Sequence, residues 1–400
     1  MTGAVDATGT LALAMLVLFG GSFVIARVSF LRENNIPVPV VGGILFALIT
    51  AALYTQAGVE LSFDMELRNP MMLAFFTTIG LGANLRMLAR GGPQLLVFGL
   101  VCLGYLIVQN GLGVAAAVGL DLHPLVGMLS GSITLSGGHG TGAAFAQRFA
   151  DVQNLAGAME LAMACATFGL IIGGIIGGPV AGRLIKGNGL TPSTDDQTGT
   201  PLEVEELEDP ITTDTLLQTL FWVVVCLVGG GAIAAALVDA AFTLPSFIWS
   251  LFLGVVIRNA AELTGWIRVH RATVDMVGTL SLSLFLAMAL MALRIWELVS
   301  LAGPLLVLLA VQALGMAGFA YIVTFRALGR SYDAAIIAGG HCGFGMGATP
   351  TAVANMEALT NRFGPSPQAF LVVPLMGAFF IDLLNAIVIQ TYLALPVFGF

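Results

Sequence analysis

The most informative stretch for the architecture is Leu129-Ser-Gly-Ser-Ile-Thr-Leu-Ser-Gly-Gly-His-Gly-Thr-Gly-Ala-Ala144. It is too polar and glycine-rich for a full membrane span and too long for a simple loop. A similar stretch, Ala338-Gly-Gly-His-Cys-Gly-Phe-Gly-Met-Gly-Ala-Thr-Pro-Thr-Ala352, lies in the other half of the chain. Irregular backbone is tolerated at membrane depth only where protein or a water-filled cavity surrounds it, and glycine permits the unusual dihedral angles. Both stretches are predicted to be re-entrant hairpins, over about 125–150 and 333–362.

The composition around these hairpins is that of an integral membrane protein. The 400 residues are 58% hydrophobic and 10% charged, with a mean hydropathy of +0.96, whereas soluble domains carry roughly 25% charged residues. A pI near 4.9 argues against a nucleic-acid partner, which needs a basic surface. The four scattered cysteines indicate neither a disulfide framework nor a zinc site, so no transition metal is expected.

Ten apolar runs are long enough to cross a bilayer, which takes about 20 residues each. They lie near 10–30, 36–57, 71–89, 93–119, 156–184, 214–240, 244–264, 277–296, 300–327 and 367–397. The first run is expected to stay as a helix, since no cleavage site follows it. Residues 186–213 contain Gly, Pro, Thr and acids and are predicted to form a solvated linker.

The two halves, 1–185 and 214–400, resemble each other. Gly137-Gly138-His139 recurs as Gly339-Gly340-His341, at an offset of 202. The prolines that open the second span of each half are 208 apart, and the Gly-Pro pairs that open the fourth span are 211 apart. Coincidence in a glycine-rich chain is the alternative to duplication. Because each half has five spans, the second half must enter the membrane in the opposite sense, as in the inverted repeats of many transporters.

The basic residues predict the orientation, because cytoplasmic loops carry the excess of Lys and Arg. With both termini outside, only Arg68, Arg148 and Arg294 face the periplasm. The other twelve then face the cytoplasm together with the linker: Arg27, Arg32, Arg86, Arg90, Arg183, Lys186, Arg258, Arg268, Arg271, Arg326, Arg330 and Arg362. The net charge of −8 comes from eight acids in or at the end of the linker, because the rest of the chain has equal numbers of acidic and basic residues. These eight linker acids are Asp195, Asp196, Glu203, Glu205, Glu206, Glu208, Asp209 and Asp214.

The hairpin tips are predicted to bind ions. Unpaired N–H groups at the start of a short helix favour an anion, and freed carbonyls and hydroxyls can coordinate a dehydrated cation. The hydroxyls in question are those of Ser132, Thr134, Ser136, Thr141, Thr349 and Thr351. Close helix packing through small residues is the alternative, and it explains the glycines but not the adjacent hydroxyls and histidines.

His139 and His341 are predicted to occupy matching places in the two hairpins, as substrate contacts or a pH-sensitive gate; a hydrogen-bonded structural role is the alternative. Cys342, beside His341, is a candidate reactive thiol if it is exposed. Among ionisable residues inside spans, Asp382 is the clearest site candidate, with Asn385 one turn away. Both offer the hard oxygens that suit sodium, and a helix-packing hydrogen bond is the alternative. Glu160 is a weaker candidate.

An enzyme is not indicated. The glycines around His139 lack the GxGxxG spacing of a dinucleotide site, and neither hairpin ends in Gly-Lys-Ser/Thr. An intramembrane hydrolase needs a nucleophile beside an ordered base, and no residue is evident to orient His139 next to Ser136. The residues themselves therefore indicate a sodium- or proton-coupled carrier of a small anionic or zwitterionic solute.

The chain also resembles the bacterial sodium/glutamate symporter family of the inner membrane. The likeness extends from about residue 10 to the end but lapses in the linker, and it rests on five blocks: Ser130–Ala144, Met163–Gly169, Ser281–Met291, Gly340–Met356 and Phe370–Ala386. The resemblance implies sodium-driven uptake of L-glutamate by alternating access, ten spans in two inverted repeats with re-entrant loops, and a homodimer in the lipid bilayer.

Two sets of site residues follow from the hairpin chemistry and the resemblance together. The substrate set is Ser136, Gly137, Gly138, His139, Gly140, Thr141, Gly142, Gly340, His341, Gly343, Gly345, Gly347 and Thr349. The sodium set is Ser132, Thr134, Thr351, Asp382 and Asn385. A proton-coupled carrier of another small organic anion remains the alternative to sodium-coupled glutamate transport.

Overall fold

The computed structural model describes residues 2–33, 36–57, 60–84, 92–192, 210–237, 245–265, 269–292 and 302–398. Most of the predicted linker, 193–209, lies outside these ranges, as do Arg86, Arg90, Arg268 and Arg294. The described elements of the first half are β1 Thr2–Val5, α1 Ala7–Arg27, α2 Ser29–Glu33, α3 Val38–Ala57, β2 Glu60–Phe63, α4 Arg68–Gly82, α5 Gly92–Gly119, α6 Pro124–Met128, α7 Gly138–Gln153 and α8 Ala158–Asn188.

The described elements of the second half are all helical. They are α9 Thr213–Ala236, α10 Ser246–Thr264, α11 Arg271–Met291, α12 Ala302–Phe319, α13 Phe325–Ala327, α14 Tyr332–Met346, α15 Thr349–Phe363, α16 Pro367–Leu375 and α17 Ile381–Leu393. Wider π-helical turns, Leu129–Ile133, Ala320–Thr324 and Met376–Phe380, follow α6, α12 and α16.

The all-helical membrane architecture predicted from composition is confirmed. Eight helices of the described chain are long and apolar enough to cross a bilayer: Ala7–Arg27, Val38–Gln56, Gly92–Gly119, Ala158–Asn188, Thr213–Ala236, Ser246–Thr264, Arg271–Met291 and Gly303–Ala327. The predicted spans 71–89 and 367–397 do not form uninterrupted long helices. The first is represented by α4, which has 15 residues, and the second is divided by the π-helical turn Met376–Phe380. The described β-structure is one short parallel pair, in which Thr2 pairs with Glu60.

The chain forms two compact units that cut across the sequence halves. The first unit comprises residues 1–27, 37–86 and 200–293 and contains α1, α3, α4, α9, α10 and α11. Its helices cross at glycines, which have no side chain to keep the backbones apart. A Cβ atom on Gly42 would collide with the Val17 carbonyl of α1, and one on Gly80 with the Leu251 carbonyl of α10. Small residues let helix backbones approach closely in this way, as is common in membranes.

The second unit comprises residues 28–36, 87–199 and 294–400, and it contains both predicted hairpins. Its longest helix, α8, presents glycines at positions 169, 173 and 177, a spacing that places them on one helix face. Cβ atoms on Gly169 or Gly177 would collide with carbonyls of α14 at Met346 or Gly339. This face therefore holds α14 close to α8 and positions the second hairpin inside the unit.

Candidate substrate and ion site

The first hairpin breaks within the predicted stretch 125–150. Its first arm runs through α6 and the following π-helical turn, where Gly131 leaves helical geometry with φ −100° and ψ −140°. The second arm, α7, begins at Gly138, whose φ of +67° lies in the left-handed region that favours glycine. The residue before it, Gly137, caps the helix without a side-chain hydrogen bond. No side chain of the N-cap residue therefore satisfies the first N–H groups of α7.

The second hairpin breaks within the predicted stretch 333–362. Its first arm, α14, remains helical to Met346, and the second arm, α15, begins at Thr349. Gly340, His341, Gly343 and Gly345 of the predicted substrate set lie inside α14. The break falls at Gly347 and Ala348, and no side chain caps the start of α15.

The two tips meet inside the second unit. A Cβ atom added to Gly138 would lie 4.0 Å from the Gly347 carbonyl oxygen. The Ser136 hydroxyl of the first tip donates a hydrogen bond of 3.1 Å to the Gly345 carbonyl of the second. Two uncapped helix N-termini, those of α7 and α15, thus begin beside the same contact between the hairpins. This arrangement suits an anionic ligand.

Gln109 of α5 joins the tips, a role that the sequence analysis missed. Its Oε1 accepts a hydrogen bond from Ser136 at 2.6 Å, and its Nε2 donates one to the Gly345 carbonyl at 2.9 Å. Gln312 of α12 donates to the Gln109 carbonyl at 2.9 Å. Both glutamines are fully buried. The available signal is an uncharged amide inside an apolar run, which is weaker than the signal of an ionisable residue there.

Buried oxygens collect at the Gly131 break. Asn385 of α17 donates from Nδ2 to the Ser132 carbonyl at 2.8 Å, and the Ser132 N–H donates to Asn110 Oδ1 at 2.9 Å. These bonds leave Ser132 Oγ and Asn385 Oδ1 buried without a hydrogen-bond partner in the described structure. An orphaned buried oxygen is costly unless a ligand satisfies it. The chemistry of hydroxyl, amide and carbonyl oxygens fits a hard cation such as sodium.

Comparison with known proteins identifies the chain. The profile of the family described as "Sodium/glutamate symporter" matches residues 4–365. Relatives named "Sodium/glutamate symporter" from Escherichia coli (strain K12) and Shigella flexneri are each 50% identical over 397 residues, covering 98% of this chain and 99% of the relative. The Haemophilus influenzae relative of the same name is 47% identical over 389 residues, covering 96% of both chains.

This chain belongs to the sodium/glutamate symporter family. The resemblance inferred from the sequence motifs is thereby confirmed. Membership in a symporter family makes the chain a membrane transporter rather than an enzyme. Within the described residues, no three His, Cys, Asp or Glu side chains cluster as they do in a metal centre.

In the structure of this family member, the remaining predicted ligand residues differ in whether their polar atoms already have hydrogen-bond partners. The Thr134 hydroxyl already donates to the Leu129 carbonyl at 2.6 Å, whereas Thr351 Oγ1 is buried with no hydrogen-bond partner among the described atoms. Asp382 lies in the first turn of α17, partly exposed and one turn before Asn385. Within α7, Gly140 and Thr141 lie in the first turn, and Gly142 follows them and faces Thr134. Thr349 starts α15, and its hydroxyl faces Gly377.

The two histidines do not occupy matching places, so that prediction was wrong. His139 lies in the first turn of the second arm, α7, and its Nε2 is 3.1 Å from Thr167 Oγ1. His341 lies within the first arm of the other hairpin, and its Nδ1 is 2.9 Å from Thr324 Oγ1. Its ring packs against four aromatic rings, those of Phe98, Tyr105, Phe319 and Phe344. This environment favours the structural role for His341.

The other weaker candidates are buried. Cys342 is completely inaccessible, which argues against a reactive thiol there. Glu160 lies in the first turn of α8 with 8% of its surface exposed. The sequence predicted it at the edge of a span, and its burial at a helix N-terminus suits a carboxylate.

Proposed function

We propose that the chain is a sodium-coupled L-glutamate symporter of the bacterial inner membrane. Relatives named "Sodium/glutamate symporter" are 47–50% identical to this chain over nearly their whole lengths. The proposal includes alternating access, a homodimer, and the substrate and sodium residues predicted from the sequence. It also includes ten spans in two inverted repeats, with both termini periplasmic and the linker 186–213 cytoplasmic.

The meeting of the two uncapped helix N-termini is the observation that carries this function. Glutamate has two carboxylates, and each helix start offers N–H donors and a positive dipole end to one of them. The donors at α7 begin with Gly138, and those at α15 follow Thr349. Because Pro350 lacks an N–H, the N–H donors at the start of α15 lie on the side near Thr351.

Sodium is assigned to the oxygens at the Gly131 break. Ser132 Oγ and Asn385 Oδ1 are the two orphaned acceptors there, and Asp382 supplies a carboxylate on the same face of α17. A bound sodium ion offsets the negative charge that the substrate brings into the membrane. Binding of both ligands therefore lowers the cost of moving the loaded site across the bilayer.

Two features of the structure support the proposed duplication. The second arms of the hairpins, α7 and α15, start 211 positions apart (349 − 138), as do the Gly-Pro pairs in the first turns of α5 and α12. Each half also contributes its first three predicted spans to the first compact unit, and its hairpin and last two spans to the second. Chance similarity of glycine motifs does not account for this common division.

Uptake into proteoliposomes tests the function. Purified protein is reconstituted, and labelled L-glutamate uptake is measured under an imposed sodium gradient and, separately, under an imposed proton gradient. We expect concentrative uptake with sodium alone. Uptake with protons alone would contradict the proposal and favour the proton-coupled carrier, and transport of another organic anion without glutamate would contradict the substrate assignment.

The Asp382→Asn variant tests the sodium assignment. We expect a higher sodium concentration for half-maximal uptake, roughly tenfold, since a hydrogen-bonded or coordinated charge is worth about 1.5 kcal/mol or more. Glu357→Gln, an exposed acid on α15, serves as the control. An unchanged half-saturating sodium concentration in Asp382→Asn would remove this carboxylate from the site.

A further inference from the structure

A large groove separates the C-terminal ends of α8 and α15 in the second unit, away from the hairpin tips. Its volume is about 810 Å³. The lining residues from α8 are Gly178, Pro179, Gly182, Arg183, Lys186 and Gly187, and those from α15 are Ala358, Leu359, Arg362 and Phe363. The groove is distinct from the proposed glutamate and sodium sites, whose residues do not line it.

Positive charge is concentrated at one end of this groove. Arg183 and Lys186 project from the last turns of α8, and Arg362 projects from the last turn of α15. All three side chains are exposed. No carboxylate of the described chain forms an ion pair with any of them. Three cations that form no ion pair within the described residues line this one cavity, and they favour an anionic group; Arg in particular suits phosphate oxygens.

The other end of the groove is apolar and opens along the exposed face of α8. Ile175, one turn from Gly178, is 58% exposed, which is expected of a lipid-facing residue in a membrane span. Cβ atoms on Gly178 or Gly182 would meet nothing within 4 Å, so the missing side chains leave a channel along this face. A ligand that fits must therefore combine an anionic head with a hydrocarbon chain.

We propose that the groove binds one anionic phospholipid, with its phosphate among Arg183, Lys186 and Arg362 and an acyl chain along the Ile175–Gly182 face. Basic pockets between membrane helices bind such headgroups on the cytoplasmic side. The lipid connects a membrane-spanning helix, α8, to the second arm of the second hairpin, α15. Its binding therefore stabilises the packing of that hairpin against α8 in the second unit.

Native mass spectrometry of the full-length protein, titrated with phosphatidylglycerol or phosphatidylcholine, tests this site. We expect one tightly retained phosphatidylglycerol and no comparable phosphatidylcholine. Because each Lys or Arg near a membrane surface contributes about 1 kcal/mol, Arg183→Gln/Lys186→Gln should weaken retention roughly 25-fold and Arg362→Gln roughly fivefold. The matched control is Arg27→Gln/Arg326→Gln, which removes two exposed basic residues from outside the groove.

Three outcomes would overturn the proposal. One is equal retention of phosphatidylglycerol by the groove variant and the control variant. A second is equally tight binding of soluble glycerol 1-phosphate, which would show a phosphate site without a lipid chain. The third is retention seen only after the eight linker acids are changed to amides, which would assign the groove to the linker. Lipid binding is measured here without transport, so its failure is distinguishable from failure of glutamate uptake.

Discussion

Ser132 and Ser130 show how two buried serines of one turn serve different purposes. The Ser130 hydroxyl donates to the Gly127 carbonyl at 3.2 Å, within its own helix. Ser132 Oγ finds no such partner in the described structure, although it is completely buried. A satisfied hydroxyl stabilises the fold, whereas an orphaned hydroxyl lowers stability until a ligand coordinates it.

The substitution Ser132→Ala should therefore weaken sodium binding without weakening the fold. We expect the half-saturating sodium concentration to rise roughly tenfold, because a lost contact to a charged ligand costs about 1.5 kcal/mol. The free energy of unfolding should stay unchanged or rise, since no hydrogen bond is lost. Sodium titration of glutamate uptake and chemical denaturation measure the two quantities.

Ser130→Ala is the matched control for Ser132→Ala. It should lower the free energy of unfolding by about 1 kcal/mol, because it leaves the Gly127 carbonyl without this donor, and it should leave the sodium dependence unchanged. The opposite result would place the ion elsewhere. In that case Ser130→Ala would alter the sodium dependence, and Ser132→Ala would alter the stability alone.

At the scale of the element, the glycines of the two hairpins have two different structural roles. Gly138 provides a left-handed backbone at a tip. By contrast, Gly339 and Gly343 lie in a regular helix and allow the close approach of neighbouring backbone at Gly177 and Ala352. Only the first role, a left-handed backbone at a tip, creates a helix N-terminus for a ligand.

The substitution Gly138→Ala tests the gap between the tips. The added methyl group would project to 4.0 Å from the Gly347 carbonyl, within the space assigned to substrate. We expect the glutamate concentration for half-maximal uptake to rise on the order of tenfold, as for one misplaced methyl group in a binding pocket. The left-handed backbone adds about 1–2 kcal/mol of strain.

Gly157→Ala controls for that strain. Gly157 has nearly the same backbone angle, φ +68°, but it caps α8 rather than a hairpin tip. Its substitution should lower stability by a similar amount and leave the half-saturating glutamate concentration unchanged. Equal changes in both variants would mean that strain, and not the gap, explains the effect at Gly138.

Gln109 permits a second test at this scale, because it bonds to both tips. In Gln109→Leu the Gly345 carbonyl and the Ser136 hydroxyl each lose a partner, so we expect the free energy of unfolding to fall by about 2 kcal/mol and glutamate affinity to fall with it. Gln390→Leu is the control, since Gln390 Nε2 is buried without a partner in the described chain. Full glutamate affinity in Gln109→Leu would contradict a positioning role.

The hairpins were predictable from sequence, but their details were only partly so. The break at Gly138 falls where glycine and hydroxyl residues coincide in the sequence. The sequence did not locate the break within the second hairpin, since packing glycines such as Gly343 have the same sequence appearance as tip glycines. Gln109 could not be assigned, because its contact with Gly345 joins residues 236 positions apart. Local patterns do not encode such a contact.

At the scale of the whole molecule, the groove at the end of α8 indicates on which side of the bilayer each hairpin begins. The C-terminal ends of α8 and α15 line one cavity, so the base of the second hairpin and the start of the linker lie on the same side. The first hairpin instead connects to the N-terminal end of α8 through residues 154–157. A span as long as α8 therefore supports entry of the two hairpins from opposite sides of the bilayer.

Cysteine labelling tests this orientation with little background, because all four native cysteines are completely buried. Asp151, exposed at the end of α7, and Thr191, exposed beyond α8, are each replaced by cysteine in separate variants. A membrane-impermeant maleimide should label Asp151→Cys in intact spheroplasts, because this position is predicted to be periplasmic. It should label Thr191→Cys only after permeabilisation, because the twelve-to-three distribution of basic residues predicts that this end is cytoplasmic. The reverse pattern would invert the topology, and labelling of both positions from one side would contradict a membrane-spanning α8 and with it the inverted repeat.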